Sequence, residues 1–129
     1  MVSENPPPDT ATVDDATMDM SVRFLTPTVV VVRPTGDVDA STAGPLRATI
    51  GQQVAAGAVH VVLDLSAVAF MGSAGLALLI AERDAAIARD GELRLAGVPR
   101  TAGRALSLTG LTELFDTYPD AESAAAGLR

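Results

Sequence analysis

Ser73 is the residue of this chain best placed to do chemistry. It stands in Met71-Gly72-Ser73-Ala74-Gly75, a corner of small residues where a hydroxyl can serve as a nucleophile or be modified. A nucleophile elbow needs G-x-S-x-G, and two residues before Ser73 the chain has Met71. The single histidine, His60, precedes the serine on a neighbouring strand pattern and reads as a strand-end residue, so acyl transfer has no base placed for it. Asp37, Asp39 and Asp64 fall near the ends of strand patterns and form a second constellation, of the kind that holds Mg²⁺ in an acidic pocket. The simpler reading makes Asp39 a cap or orienting group for a helix and Asp64 a turn residue. Gly72-Ser73-Ala74-Gly75 is neither G-x-G-x-x-G nor a Walker loop. A helix starting there would still leave backbone N–H groups and a partial positive charge facing outward, where a phosphate is tolerated.

Composition removes many alternatives. All nine basic residues are arginine, so no lysine is available for a Schiff base, a Walker loop or a phospho-aspartate receiver. There is no cysteine, which excludes a thiol nucleophile, a thiolate zinc site and a disulfide scaffold, and suits a reducing compartment. With one histidine, a histidine-based metal site has too few ligands. The formal net charge of -7 and 3% aromatic residues oppose nucleic-acid binding, which needs a basic stripe and usually stacking rings. The longest apolar stretch, Gly72 to Ala81, is far short of the ~20 residues of a membrane helix. These features predict a soluble, cytoplasmic protein with no cofactor and no metal, and no membrane or nucleic-acid partner.

The elements that must position Ser73 are legible as alternating patterns. Residues 1–20 carry three consecutive prolines and five acids without a base, and read as a disordered acidic tail. From Ser21 a hairpin is expected. Val22 and Phe24 alternate with polar residues, Thr26-Pro27-Thr28 turns, and Val29 to Val32 is a β-branched run ending at Gly36-Asp37-Val38-Asp39. Ala40-Ser41-Thr42 offers capping hydroxyls to a helix with Leu46, Ile50 and Val54 at helical spacing, closed by Gly57. Val59 to Leu65 has the continuous apolar character of a strand buried on both faces. After the Ser73 corner comes a long helix with Leu76, Leu79, Ile80 and Ile87 as its inward face and Gly91 as its terminator. Glu92 to Val98 reads as a strand, and Arg100 to Thr109 as a helix with Ala105 and Leu108 facing in. A short strand follows from Leu114-Phe115, and Asp120 to Leu128 forms a terminal helix. The order ββαβαβαβα predicts an α/β fold: one mixed, mostly parallel sheet of about five strands, about four helices, and an N-terminal hairpin.

Four segments together resemble the STAS domain of anti-sigma factor antagonists. They are Gly36-Asp37-Val38-Asp39 with Thr42-Ala43 and Leu46; Val62-Leu63-Asp64-Leu65-Ser66 with Val68; Phe70 to Leu76; and Leu108-Thr109-Gly110-Leu111 with Leu114-Phe115. The resemblance covers residues 21–129 and implies a partner-switching regulator and not an enzyme. In its unphosphorylated form such a protein binds an anti-sigma factor, usually a serine kinase of the histidine-kinase-like ATPase fold, and so frees a sigma factor. The kinase phosphorylates the serine that corresponds to Ser73, and a metal-dependent serine phosphatase reverses the modification. The implied interface adds Asp37, Asp39, Ser41, Thr42, Met71, Gly72, Ala74 and Gly75 to Ser73. The chain departs from the family's usual pattern by Gly72 in place of an aspartate and by Ala74 in place of a second hydroxyl, which leaves Ser73 the sole hydroxyl on the corner. The alternatives on the same fold are an accessory subunit of a lipid or anion transporter and a nucleotide-sensing module.

Overall fold

The computed structural model describes residues 18–129. Residues 1–17 of the expected tail lie outside the described residues, and its last three belong to the fold. Strand β1 (Asp19–Thr26) starts two residues earlier than expected, with Met18 and Met20 packed on the main core. β1 pairs antiparallel with β2 (Val29–Val38), completing the predicted hairpin. There follow α1 (Ala43–Ala55), β3 (His60–Asp64), β4 (Val68–Met71), α2 (Ser73–Ala88), β5 (Leu93–Ala96), α3 (Arg100–Leu108), a 3₁₀ turn at Thr112–Leu114, β6 (Asp116–Tyr118) and α4 (Ala121–Ala125). The sheet runs β1-β2-β3-β5-β6, all parallel after the hairpin, and β4 pairs in parallel with the far end of β2.

The run Val29 to Val32 is apolar at every position because the sheet is covered on both sides. Val30 and Val32 join the core that includes Leu46 and Ile50 of α1, Leu78 and Leu79 of α2, and Leu106 of α3. Val29 and Val31 join a smaller cluster with Val62, Ala96, Ala121, Ala124 and Leu128. The short α4 is held over that second face by Arg94, whose Nη1 donates to the carbonyls of Ala124 and Ala126, both at 3.0 Å. These donors reach carbonyls at the helix end that have no intrahelical partner.

Several local expectations change. β4 is a sixth strand where the sequence pattern predicts only a connection. Its four residues show a buried, exposed, exposed, buried pattern with no period-2 signal, and it exists because β2 continues past β3 and offers an unpaired edge. α2 buries Gly75, Leu78, Leu79, Glu82 and Ala86, while Ile87 is exposed. Leu79 is buried and Leu76 and Ile80 pack on the core as expected; a helix so rich in apolar residues gives little contrast between its faces, so spacing alone misplaced Ile87. α3 buries Ala102 and Leu106 and exposes Leu108. The last strand begins at Asp116, after the 3₁₀ turn that Leu114 closes. Gly57, at φ 118°, ends α1 as expected. At the end of α2 the left-handed residue is Asp90, φ 58°; Gly91 is needed instead for close approach, since a Cβ there would overlap the Val59 carbonyl.

Candidate functional site

Ser73 is the first residue of α2, and Gly72, in extended conformation, is the N-cap. Ser73 is exposed. A serine that capped the helix would place its oxygen on an amide two or three residues later. The capping position belongs to Gly72, which has no side chain, so Ser73 stands one residue inside the helix and its hydroxyl is not the cap. The first amides of a helix lack intrahelical partners, and here they flank that hydroxyl.

Three close approaches fix the corner. The Gly72 N–H donates to the Val38 carbonyl at 2.9 Å, and β4 and β2 run in register with Val38 beside Met71 and Asp37 beside Phe70. Gly75 lets the first turn of α2 sit on the end of β2. A Cβ there would lie 2.7 Å from Met71 Cγ and 3.0 Å from the Val38 oxygen. Through these contacts the β2–α1 loop and the Ser73 corner form one surface, although 34 residues separate Asp39 from Ser73 in the chain.

That loop is held by its own side chains. Asp39 Oδ1 accepts from the Ser41 hydroxyl at 2.7 Å and the Ser41 amide at 2.9 Å. The Thr42 hydroxyl accepts from the Asp39 amide at 3.0 Å and donates to the Asp37 carbonyl at 2.8 Å. The Ser41 hydroxyl, then its amide, with smaller help from Thr42, hold the Asp39 carboxyl below its ordinary value. Asp39, Ser41 and Thr42 thus shape the loop, and Thr42 ties down the β2 end instead of capping α1, which has no side-chain cap. The exposed Asp37, near the end of β2, is the acid presented beside this loop.

Of the residues grouped with Ser73, the structure brings Asp37, Gly72 and Ala74 to the surface of the corner. It corrects two others: Met71 and Gly75 are buried and support the corner from beneath. Asp64 is engaged in its own turn, accepting from the Ser66 amide at 3.0 Å, and among the described residues no group of acids and His is arranged to hold a metal ion. His60 accepts from the Glu92 amide through Nδ1, which leaves Nε2 protonated and donating to the Arg129 carbonyl at 3.1 Å. It is a structural residue.

Beside the corner lies an apolar patch that no sequence pattern marks. Phe70 is 54% and Leu108 77% exposed, and they border a depression of about 250 Å³ lined also by Met71, Thr101, Arg104 and Ala105. The Phe70 ring leans over Gly72, where a Cβ would stand 3.3 Å from Cε2. Two large exposed side chains on elements from distant parts of the chain meet there to form one apolar patch. Leu108 gave no separable signal, because its spacing suits an inward position equally well.

A family model, that of the STAS domain, matches residues 24–124. The anti-sigma-F factor antagonist RsfB of Mycobacterium tuberculosis is 35% identical over 103 residues, which cover 78% of this chain and 82% of that protein. A crystal structure of an anti-sigma factor antagonist from Mycobacterium paratuberculosis superposes with a TM-score of 0.76 at 32% identity, covering 88% of this chain and 96% of the other. A structure described as a putative anti-sigma factor antagonist from Thermotoga maritima has a TM-score of 0.77 at 20% identity, covering 85% and 94%, and supports the fold alone.

Proposed function

This chain belongs to the STAS-domain family, and from that premise we propose that it is an anti-sigma factor antagonist whose binding is switched at Ser73. It is a regulatory binding protein and not a catalyst. Its partner is an anti-sigma factor, and we take that factor to be a serine kinase, with a metal-dependent phosphatase as the opposing enzyme, all in the cytoplasm. The observation that carries the reading is the exposed Ser73 at the start of α2, on a corner beside the Phe70–Leu108 patch.

The chemistry of the switch follows from the position. The Ser73 oxygen attacks the γ-phosphorus of ATP, the bond to ADP breaks, and a base of the kinase takes the hydroxyl proton. The product gains about -1.5 to -2 charges and three acceptor oxygens. At a helix start this charge is welcome to the helix, since the unpaired amides and the dipole favour an anion. The fold therefore persists and the effect falls on the partner. Five of the 16 acids lie in residues 1–20, which hold no arginine, so the rest of the chain has 11 acids against nine arginines, a net of -2. One phosphate roughly doubles that charge. Repulsion and bulk at a docked surface need only about 1.4 kcal/mol for each tenfold loss of affinity.

The test is mass spectrometry after incubation with ATP and each candidate anti-sigma kinase, with Ser73→Ala as control. Phosphate on Ser73 alone is expected. In a calorimetric titration Ser73→Glu should lose binding while Ser73→Ala keeps it. Equal affinity for the two variants would remove the switch from Ser73, whatever partner is bound.

A further inference from the structure

We infer that β1 is a homodimerisation edge, pairing antiparallel with β1 of a second copy about a two-fold axis at Ser21. Among the described residues β1 pairs only with β2, which leaves its outer row of backbone donors and acceptors open. Edge strands are normally short, interrupted by proline or bulged. This one is eight residues long with no proline, and its irregularity falls at its far end, between Phe24 and Thr26. It also holds Val22 and Phe24 at 38% and 39% exposure.

The side chains specify the occupant. β1 sets Met20, Val22 and Phe24 opposite Pro34, Val32 and Val30. Val30 and Val32 face the main core, so Met20, Val22 and Phe24 rise on that face. Met18 packs on the same core. Asp19, Ser21 and Arg23 take the other face, where Arg23 meets Glu122 of α4 at 2.9 Å. A two-fold normal to the sheet keeps faces together, so only registers that pair like faces are possible. Centred on Ser21, the pairing sets Met18 against the partner's Phe24 and Met20 against the partner's Val22. On the opposite face Asp19 meets the partner's Arg23. Each contact occurs twice. The next register, centred on Val22, sets Asp19 against Leu25; the one after that sets Arg23 against Arg23. Apolar cross-strand pairs and opposite charges favour the first register and like charges disfavour the last. Arg23 uses Nη2 for Glu122 and keeps its other guanidinium donors for the partner's Asp19. The proposal does not rest on the Ser73 reading, since the two surfaces share no residue.

The chain has no cysteine, so Ser21→Cys creates a single thiol on the axis. Residues directly opposed in an antiparallel pair have Cα atoms about 4.5–5.5 Å apart, within disulfide reach. Mild oxidation should link Ser21→Cys into a dimer, and should not link Ser107→Cys, an exposed control on α3. Sedimentation of the native chain should show a concentration-dependent dimer. Asp19→Arg or Arg23→Asp should weaken it about tenfold or more, and the exchanged pair Asp19→Arg/Arg23→Asp should restore it, folding being checked by circular dichroism. A native chain monomeric up to about 1 mM, equal linking of the two thiols, or no restoration by a folded exchanged pair overturns the proposal. The first two measurements decide it even where a charge variant fails to fold.

Discussion

At the scale of single residues, the groups around Ser73 divide into those that present chemistry and those that hold the corner still. Asp39 belongs to the second kind. Its carboxyl is held below the ordinary value of 3.8 by hydrogen bonds from Ser41 and, more weakly, Thr42. A folded-state value below the unfolded one means the ionised carboxylate stabilises the fold. That contribution is complete above about pH 3.8 and is lost as pH falls through the folded value. Asp39→Asn should flatten the acid limb of the stability curve in urea titrations at successive pH values, leaving the part due to Asp120, lowered in the same direction by Ser123. Gly75 is the second supporting residue. Gly75→Ala forces a methyl against Met71 Cγ and the Val38 carbonyl, which should cost about 1–3 kcal/mol by chemical denaturation. It should also weaken partner binding while leaving the Ser73 hydroxyl in place.

At the scale of elements, the end of α2 separates two uses of small residues that a sequence does not distinguish. Asp90 takes the left-handed conformation, φ 58°, which costs a residue with a side chain more than it costs glycine. Gly91 carries no such requirement and is instead packed against the Val59 carbonyl. Asp90→Gly should therefore raise stability by a few tenths to ~1 kcal/mol. Gly91→Ala should lower it by about 3 kcal/mol or prevent folding. Thermal melts of the two variants shifting in the same direction would contradict this assignment. The hairpin, the both-faces-buried valine run and the helix after the corner were legible, because each is a long pattern of one period. β4 was not, since four residues carry no periodicity and its pairing depends on how far β2 extends past β3.

At the scale of the whole molecule, two layers of helix of very different size close one sheet. Among the described residues the second face is covered by α4 and Leu128, with Tyr118 packed beside them. Removal of residues 119–129 would uncover Val29, Val31 and Val62, each worth about 1.5–3 kcal/mol when buried, against a total stability of about 5–15 kcal/mol. The truncated chain should lose its cooperative thermal transition or precipitate, and a melt within a few degrees of the intact protein would show that α4 is not structural. Among the described residues no helix is long and apolar enough to cross a membrane.

By itself the sequence determined the class of protein and the place of Ser73 in its fold. The absence of lysine and cysteine removed most catalytic chemistry, and four ordered motifs brought Ser73 to the start of a helix on an α/β sheet. Those conclusions rest on residue type and local spacing, which the chain carries in full. Tertiary structure decided which neighbours of Ser73 are surface and which are support. Met71 and Gly75 went inside, Asp39, Ser41 and Thr42 were spent on loop hydrogen bonds, and Phe70 and Leu108 emerged as an apolar patch. The physical reason is that exposure belongs to pairs of elements. Whether a leucine on α3 or a phenylalanine on β4 meets solvent depends on where other elements, distant in the chain, leave a surface uncovered.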